Sequence, residues 1–400
     1  MKYLILQGDG MGDMRGDDGQ PTPLETAHTP HFDRIAGSGE FGLIHTIPQG
    51  YPPGSDVGNL SLFGYDPHHY YTGRSPLEAA AMGVELGPDD IAFRLNLVTL
   101  SGRNGQEVMD DYSSGHIDSE SAARIVATIN DELSDGTFQF YPGVSYRHLL
   151  VWRQGLERMT TTPPHDITGR PIADYLPQGP GAEELRRIMT ASRGLLAGHP
   201  VNKARVAAGQ RPVSLAWLWG QGRKPAMDTF ESRYHLRGAC ISAVDLVRGV
   251  AVNAGFEIIH VPGATGFLDT DYAAKGRYAL KSLGSVDVMF LHVEAPDEAG
   301  HMGDRAAKVQ AIEAIDEKIL GPLLKQLPLM GPFKIMLVSD HATPVALRTH
   351  TPNPVPYAMA TGERLAAGCA SVKYGETEAA RSGHVIRNGH EVIRRLIDFI

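Results

Sequence analysis

The residues of this chain best suited to chemistry stand where apolar runs stop. Residues 335–338 form an uninterrupted apolar run that reads as a buried central strand, and it ends in Ser339, Asp340 and His341. A carboxylate beside an imidazole at the C-terminal end of such a strand lies where open α/β sheets place ligands, and the pair suits a divalent transition metal. The plainer alternative is that Asp340 caps the next turn and His341 bonds locally. A second short run, 3–6, leads into Gly8-Asp9-Gly10-Met11-Gly12-Asp13. The glycine spacing is not that of a dinucleotide fingerprint, but glycines on both sides of Asp9 let the backbone approach something bound there. A third run, 286–293, leads to Asp297 and His301. Four residues apart, on a helical turn or a loop close to one, these two face the same way and can share one ion. Gly300 and Gly303 argue against a plain helix at that point. His350 precedes a Pro-rich extended segment.

Ser55 follows a bend forced by Pro52, Pro53 and Gly54, and the apolar spacing after it predicts a helix that begins there. Ser is a favoured residue at helix starts for structural reasons alone. The same position, at the positive end of a helix, also favours a phosphate or a Ser alkoxide.

Parallel strands bring these points together. If the runs ending near Asp9, Asp297 and Asp340 are parallel neighbours, their carboxylates converge on one sheet edge with His301, His341 and His350, enough oxygen and nitrogen ligands for two bridged ions. Two cations with a Ser at a helix N-terminus are machinery for phosphoryl or sulfuryl transfer.

The elements needed to hold this arrangement are legible in part. From about residue 182 onward, strand and helix patterns alternate, which predicts a mostly parallel α/β sheet with helices on both faces. A helix over 304–320 should end or kink at Gly321-Pro322. Residues 101–185 are polar and turn-rich, with a helix over about 119–133, two strands over 138–141 and 148–152, and a Pro/Gly-rich stretch beyond them. They read as a smaller α+β domain inserted between 1–100 and 186–400. The insert carries His116, Arg147, His148, His165, Asp166 and Arg170, each of which reads first as a surface or hydrogen-bonded group; as a set they can clamp a carboxylate or phosphate. Residues 362–376 read as surface.

Bulk properties narrow the partners. The chain has 400 residues, 42% hydrophobic and 21% charged, with a net charge of −9 that argues against nucleic acid or an anionic membrane as its main partner. A local cationic cluster or a metal can still bind an anionic small molecule. Cys240 and Cys369 cannot make a disulfide framework and read as buried thiols. The N-terminal apolar run is too short for a signal peptide and no run reaches membrane-spanning length, so a soluble cytoplasmic protein is expected.

Nearly end to end, the chain resembles the archaeal-type cofactor-independent phosphoglycerate mutases of the alkaline phosphatase superfamily. The resemblance is carried by GDGMGD (8–13), TPLETAHTPHFDRIA (22–36), PPGSDVGNLSLFGYDP (52–67), YTGRSPLEA (71–79), PGATGFLD (262–269), PDEAGHMGD (296–304), SDHATP (339–344) and THTPNPVP (349–356). It implies an alkaline-phosphatase-like core with a substrate-binding insert that closes over the site. It also implies one ion on Asp297, His301 and His350 and another on Asp9, Ser55, Asp340 and His341. Manganese is typical of such enzymes, with zinc, cobalt or magnesium as alternatives. Ser55 would take the phosphoryl group of 3-phosphoglycerate and return it to the 2-position without 2,3-bisphosphoglycerate, a step of glycolysis and gluconeogenesis. His116, Arg147 and Lys275 would contact the substrate, a small phosphorylated acid, and a homo-oligomer stays open. The middle of the chain (YPGVSYRHLLVW, PPHDITGRPIADYLP, WLWGQGRKP) resembles a bacterial subgroup proposed to act as homoserine kinases. The alternatives are therefore a kinase on the same metal site or a phosphomonoester hydrolase. No G-x-x-x-x-G-K-[ST] loop is present, which disfavours a nucleotide donor.

Overall fold

The structure is a computed structural model that describes residues 1–16 and 19–400. Its first strands are β1 (Lys2–Gly8), β2 (Glu40–Ile44), β3 (Ile91–Arg103), β4 (Gln106–Asp111), β5 (Phe138–Tyr141), β6 (Arg147–Trp152) and β7 (Leu215–Arg223). They are followed by β8 (Gly238–Ile241), β9 (Glu257–Ile258), β10 (Val288–Val293), β11 (Phe333–Val338), β12 (Val355–Thr361) and β13 (Val385–Ile386).

Two compact units result. The first comprises Met1–Tyr71 and Ala226–Ile400, the second Thr72–Pro225. In the first, eight strands run in the order β13-β2-β12-β11-β1-β10-β8-β9. The pairings β1–β10, β1–β11, β10–β8, β8–β9 and β13–β2 are parallel, and β12 alone runs antiparallel to its neighbours β11 and β2. The central strands β1, β10 and β11 are apolar and buried along most of their length, as strands covered by helices on both faces must be. Parallel pairing sends the chain out of all three at the same edge, so Asp9, Glu294 and Asp340 emerge together.

The second unit holds a five-stranded sheet in which the long β3 pairs antiparallel with β4, β6 and β7, and β5 pairs with β6. Helices Ser119–Leu133 and Ala182–Ala197 contribute Ile125, Val126, Leu185 and Ile188 to its core, against Phe93, Leu95 and Trp217.

The expected insert boundaries need correction. Residue 101 falls inside β3, and residue 185 falls inside helix Ala182–Ala197, so a cut at either place would break an element. β7 belongs with β3, which carries the compact unit on to Pro225. Three further expectations change. Gly321-Pro322 does not end the helix, but the α pattern is interrupted there: after Arg305–Ala314 a π-helical turn, Ile315–Leu320, leads into Gly321–Gln326, with Pro322 near its start. Cys240 is buried but Cys369 is exposed. Part of segment 362–376 is interior, with Leu365 and Tyr374 in the core.

The last correction touches the glycine-rich loop at 8–13. Glu376 accepts hydrogen bonds from the Asp13 N–H (2.9 Å) and the Thr22 hydroxyl (2.7 Å). Burial, with Glu25 adding to it, pushes the Glu376 carboxyl from 4.5 up to about 7. Between those values the folded protein holds a proton that the unfolded chain has released. The contribution of Glu376 to stability is therefore complete below the unfolded value and declines as pH rises through the folded one. Glu376→Gln should flatten this part of the stability profile and gain about 2 kcal/mol over wild type near pH 8. Urea unfolding between about pH 4 and 8 measures this; parallel profiles for the two proteins would refute it.

Candidate metal and phosphoryl-transfer site

In the first unit the sequence candidates gather at the strand ends. Asp297 and His301 do lie on a regular helix, Ala295–Met302. Gly300 is tolerated there because it packs on Thr343, whose carbonyl oxygen would lie 2.5 Å from an added Cβ, and Gly303 (φ +70°) supplies the left-handed turn that ends the helix. The i,i+4 spacing brings His301 Nε2 to 3.2 Å from Asp297 Oδ2. His350 Nε2 stands 3.5 Å from Asp297 Oδ1 and 2.9 Å from His301 Nε2.

A second cluster lies next to it. His341 Nε2 is 3.4 Å from Asp9 Oδ1, 3.5 Å from Asp340 Oδ2 and 3.2 Å from the Ser55 hydroxyl. The rings of His341 and His350 are 4.0 Å apart, so the clusters adjoin. Ser55 opens helix Ser55–Leu62 behind an extended Gly54. Gly10 (φ +55°) must be glycine, because a Cβ there would meet Asp297 Oδ1 at 2.3 Å.

The donor set fits divalent cations. A carbonyl oxygen can only accept, so His301 Nδ1, 3.1 Å from Arg348 O, and His350 Nδ1, 3.1 Å from Pro53 O, carry the protons. The Thr343 hydroxyl donates to Asp297 Oδ1 (2.5 Å), so it accepts from His341 Nδ1 (3.2 Å). In their neutral forms all three imidazoles thus turn Nε2 inward with a lone pair, oriented by oxygens on the far side of the ring, as in metal sites generally. Asp340 is fixed by the Gly10 N–H on Oδ1 (3.2 Å) and by Asn59 Nδ2 on Oδ2 (3.1 Å).

Electrostatics point the same way. Burial, then repulsion from Asp340, Glu294 and Asp297, raises Asp9 well above the carboxylate range. Burial, then Asp297, lifts Glu294 to about 8. Burial opposes ionisation of Asp297, but hydrogen bonds from His301 and His350 hold it well below the usual range, and the same bond to Asp297 lifts His301 to about 9 against its own burial. Burial lowers His341. Packed negative charge that burial and repulsion resist is what a cation relieves.

Several residues here escaped the sequence reading. Thr343 and Asn59 hold ligand-type residues in place, and Asn59 Nδ2 also bonds Ser55 O at 2.8 Å. His292 and Glu294 form with Asp9 a further group of close ligand-type atoms. Lys275, expected to touch substrate, is instead wholly buried with its ammonium on His292 O at 3.2 Å, and burial lowers it to about 8.

In the second unit, His116 and Arg147 meet on Tyr146: the His116 ring lies 5.8 Å from the Tyr146 ring, and the Arg147 guanidinium also lies 5.8 Å from it. The row of rings continues through Tyr112, His165 and Trp219. Arg94, buried and paired with Glu78 at 3.1 Å, stacks 4.7 Å from Trp219, and Arg74 approaches the same ring at 5.8 Å. Burial lowers Arg94 to about 10. His148 is a buried structural group whose Nδ1 accepts the Gly143 N–H, and Arg170 points to the Tyr175 hydroxyl.

A parallel α/β sheet with carboxylates and imidazoles gathered beside a helix-borne serine defines a class of phosphoryl-transfer enzyme. Comparison with known proteins narrows it. The family model for 2,3-bisphosphoglycerate-independent phosphoglycerate mutase matches residues 36–202. A probable 2,3-bisphosphoglycerate-independent phosphoglycerate mutase of Geobacter sulfurreducens is 48% identical over 400 residues, covering 100% of both chains. The enzyme of that name from Methanothrix thermoacetophila is 48% identical over 399 residues, 99% of this chain and 100% of its own. The solved structure of a cofactor-independent phosphoglycerate mutase from Thermoplasma acidophilum superposes with a TM-score of 0.65 at 26% identity, covering 99% of each chain. The chain belongs to the 2,3-bisphosphoglycerate-independent phosphoglycerate mutase family.

Proposed function

We propose that the chain interconverts 3-phosphoglycerate and 2-phosphoglycerate through a phosphoserine at Ser55. The observation that carries this reading is the placement of the Ser55 hydroxyl, 3.2 Å from His341 Nε2 at the start of a helix and beside two clusters of carboxylate and imidazole groups of the type that holds a metal ion. Asp297, His301 and His350 would hold one ion, and Asp9, Asp340, His341 and Ser55 the other, with manganese the first candidate. Divalent cations held there supply Lewis acidity: they offset the carboxylates, lower the pKa of the Ser55 hydroxyl and stabilise charge on the transferring phosphoryl group.

The chain's own residues do the rest. As the Ser55 Oγ–P bond forms, the hydroxyl proton leaves, the bond from phosphorus to the 3-oxygen breaks, and that oxygen takes a proton. In the second half the 2-hydroxyl oxygen loses its proton and bonds to phosphorus, and Ser55 Oγ leaves and is reprotonated. Backbone N–H groups at the start of helix Ser55–Leu62 favour the anionic phosphoserine. Asn59 keeps Ser55 and Asp340 in fixed relation. Arg147 and His116 are the candidate contacts for the glycerate carboxylate. Arg147→Ala should raise KM about tenfold with a smaller change in kcat, since a charge-assisted hydrogen bond to bound substrate is lost.

The test is phosphorus NMR on protein incubated with manganese and 3-phosphoglycerate. The appearance of 2-phosphoglycerate supports the reading. Inorganic phosphate alone, or phosphohomoserine from ATP and homoserine in a parallel sample without any mutase product, would overturn it. Nothing in the comparisons favours the kinase or the hydrolase.

A further inference from the structure

We infer that His292 is a positioning residue that aims Asp9 at the cation it would share with Asp340 and His341, and that Ser242 selects the tautomer that lets it do so. The inference rests on the cation reading of the site. His292 lies in the middle of the sheet, on β10, opposite Gln7 of β1, two residues before Asp9. It is completely buried, and its Nε2 is 2.8 Å from Asp9 Oδ2, also completely buried. The other ring nitrogen, Nδ1, is 3.1 Å from the Ser242 hydroxyl, just beyond the end of β8.

The proton positions follow from Ser242. Its oxygen accepts the Val244 N–H at 3.0 Å, so its own hydrogen is free to be donated, and His292 Nδ1 is nearer than Val244 O at 3.5 Å. With Nδ1 accepting, the neutral ring carries its hydrogen on Nε2 and donates it to Asp9 Oδ2. That oxygen is thereby occupied, and the carboxylate cannot rotate without breaking a buried hydrogen bond. The remaining oxygen, Oδ1, is buried without a hydrogen-bond partner and faces His341 Nε2 at 3.4 Å. It is the atom a cation at Asp9, Asp340 and His341 would take. Lys275 steadies the arrangement from behind through the His292 carbonyl.

The test is titration of metal-free, full-length protein with manganese, with free ion followed by electron paramagnetic resonance. Wild type should bind two ions. His292→Leu should weaken one of them about 10- to 100-fold and leave the other unchanged. His292→Gln, whose amide N–H can reach the place of Nε2–H, should restore most of that affinity. Ser242→Ala, a small change that keeps the core filled, should weaken the same ion by severalfold even if His292→Leu fails to fold. Two ions bound by wild type and Ser242→Ala alike, with His292→Leu also unchanged or no better restored by Gln, would overturn the role of His292 while leaving the cation reading intact. Wild-type protein that binds no manganese would overturn both.

Discussion

Ser55→Ala should lower kcat for 3-phosphoglycerate by about 10⁴- to 10⁶-fold, the scale on which removing a nucleophile acts, while the protein stays folded. The substitution removes one hydroxyl that bonds to His341 Nε2. It does not remove the start of the helix. The residue before it, Gly54, already takes the extended conformation of a helix cap, and Asn59 bonds the Ser55 backbone carbonyl, which alanine retains. Thermal unfolding should therefore change by no more than about 1 kcal/mol. Asp9, Asp340 and His341 remain, so cation uptake should persist with lower affinity. Folded protein, bound cations and no 2-phosphoglycerate together would identify the nucleophile. Substantial conversion by the variant would mean that the phosphoryl group never rests on Ser55. The nearby Thr343 hydroxyl could not easily replace it, since its hydrogen is committed to Asp297.

Much of this site can be read from the sequence because parallel strands convert sequence position into place. Once 3–6, 286–293 and 335–338 are recognised as buried strands of one sheet, their C-terminal ends must share an edge, and Asp9, Asp297 and Asp340 must be neighbours. His292 was hidden by the same logic: a single imidazole inside an apolar run reads as strand, and only the sheet shows that it faces Asp9. Its polarity within that run was the available signal. Thr343 and Asn59 act through single hydrogen bonds that no spacing rule reveals. The helix at Asp297 is not legible in the sequence because glycine is costly in a helix on average, whereas Gly300 has a specific reason to be there, the close approach of Thr343. A helix-borne lysine such as Lys275 looks the same in sequence whether it faces solvent or lies buried, as here, on His292 O. Polarity changes near residue 101, but β3 begins ten residues before it, and the second unit is held together by pairing with β7, more than a hundred residues further on.

Lys308→Met should destabilise the first unit by about 3–5 kcal/mol, the cost of leaving a buried charge without its partner. The Lys308 side chain is fully buried, and its ammonium uses all three hydrogens: on Gly12 O at 2.9 Å, Asp13 Oδ2 at 3.0 Å and Thr343 O at 2.8 Å. These acceptors belong to the two loops that carry Asp9 and Asp340–His341, so one cation of the protein itself ties both ligand-bearing segments together. Burial lowers Lys308, and the Asp13 carboxylate opposes that shift. Methionine fills the volume of the stem but leaves Asp13 with only the Met14 and Val345 N–H groups and strands the carbonyl of Thr343, while Gly12 O keeps only the Thr343 N–H. The double variant Lys308→Met with Asp13→Asn should recover part of the loss, because the asparagine carries no charge to strand. Urea unfolding of the two single variants and the double variant closes the cycle. A loss below about 1 kcal/mol for Lys308→Met would mean that water or a proton satisfies Asp13 in its place. A double variant as unstable as the sum of its parts would mean that the two residues act separately. Coupling of the expected size would make the ammonium the fastener of the site: cations bound beyond it would then find Thr343, and through it Asp297 and His341, already in position.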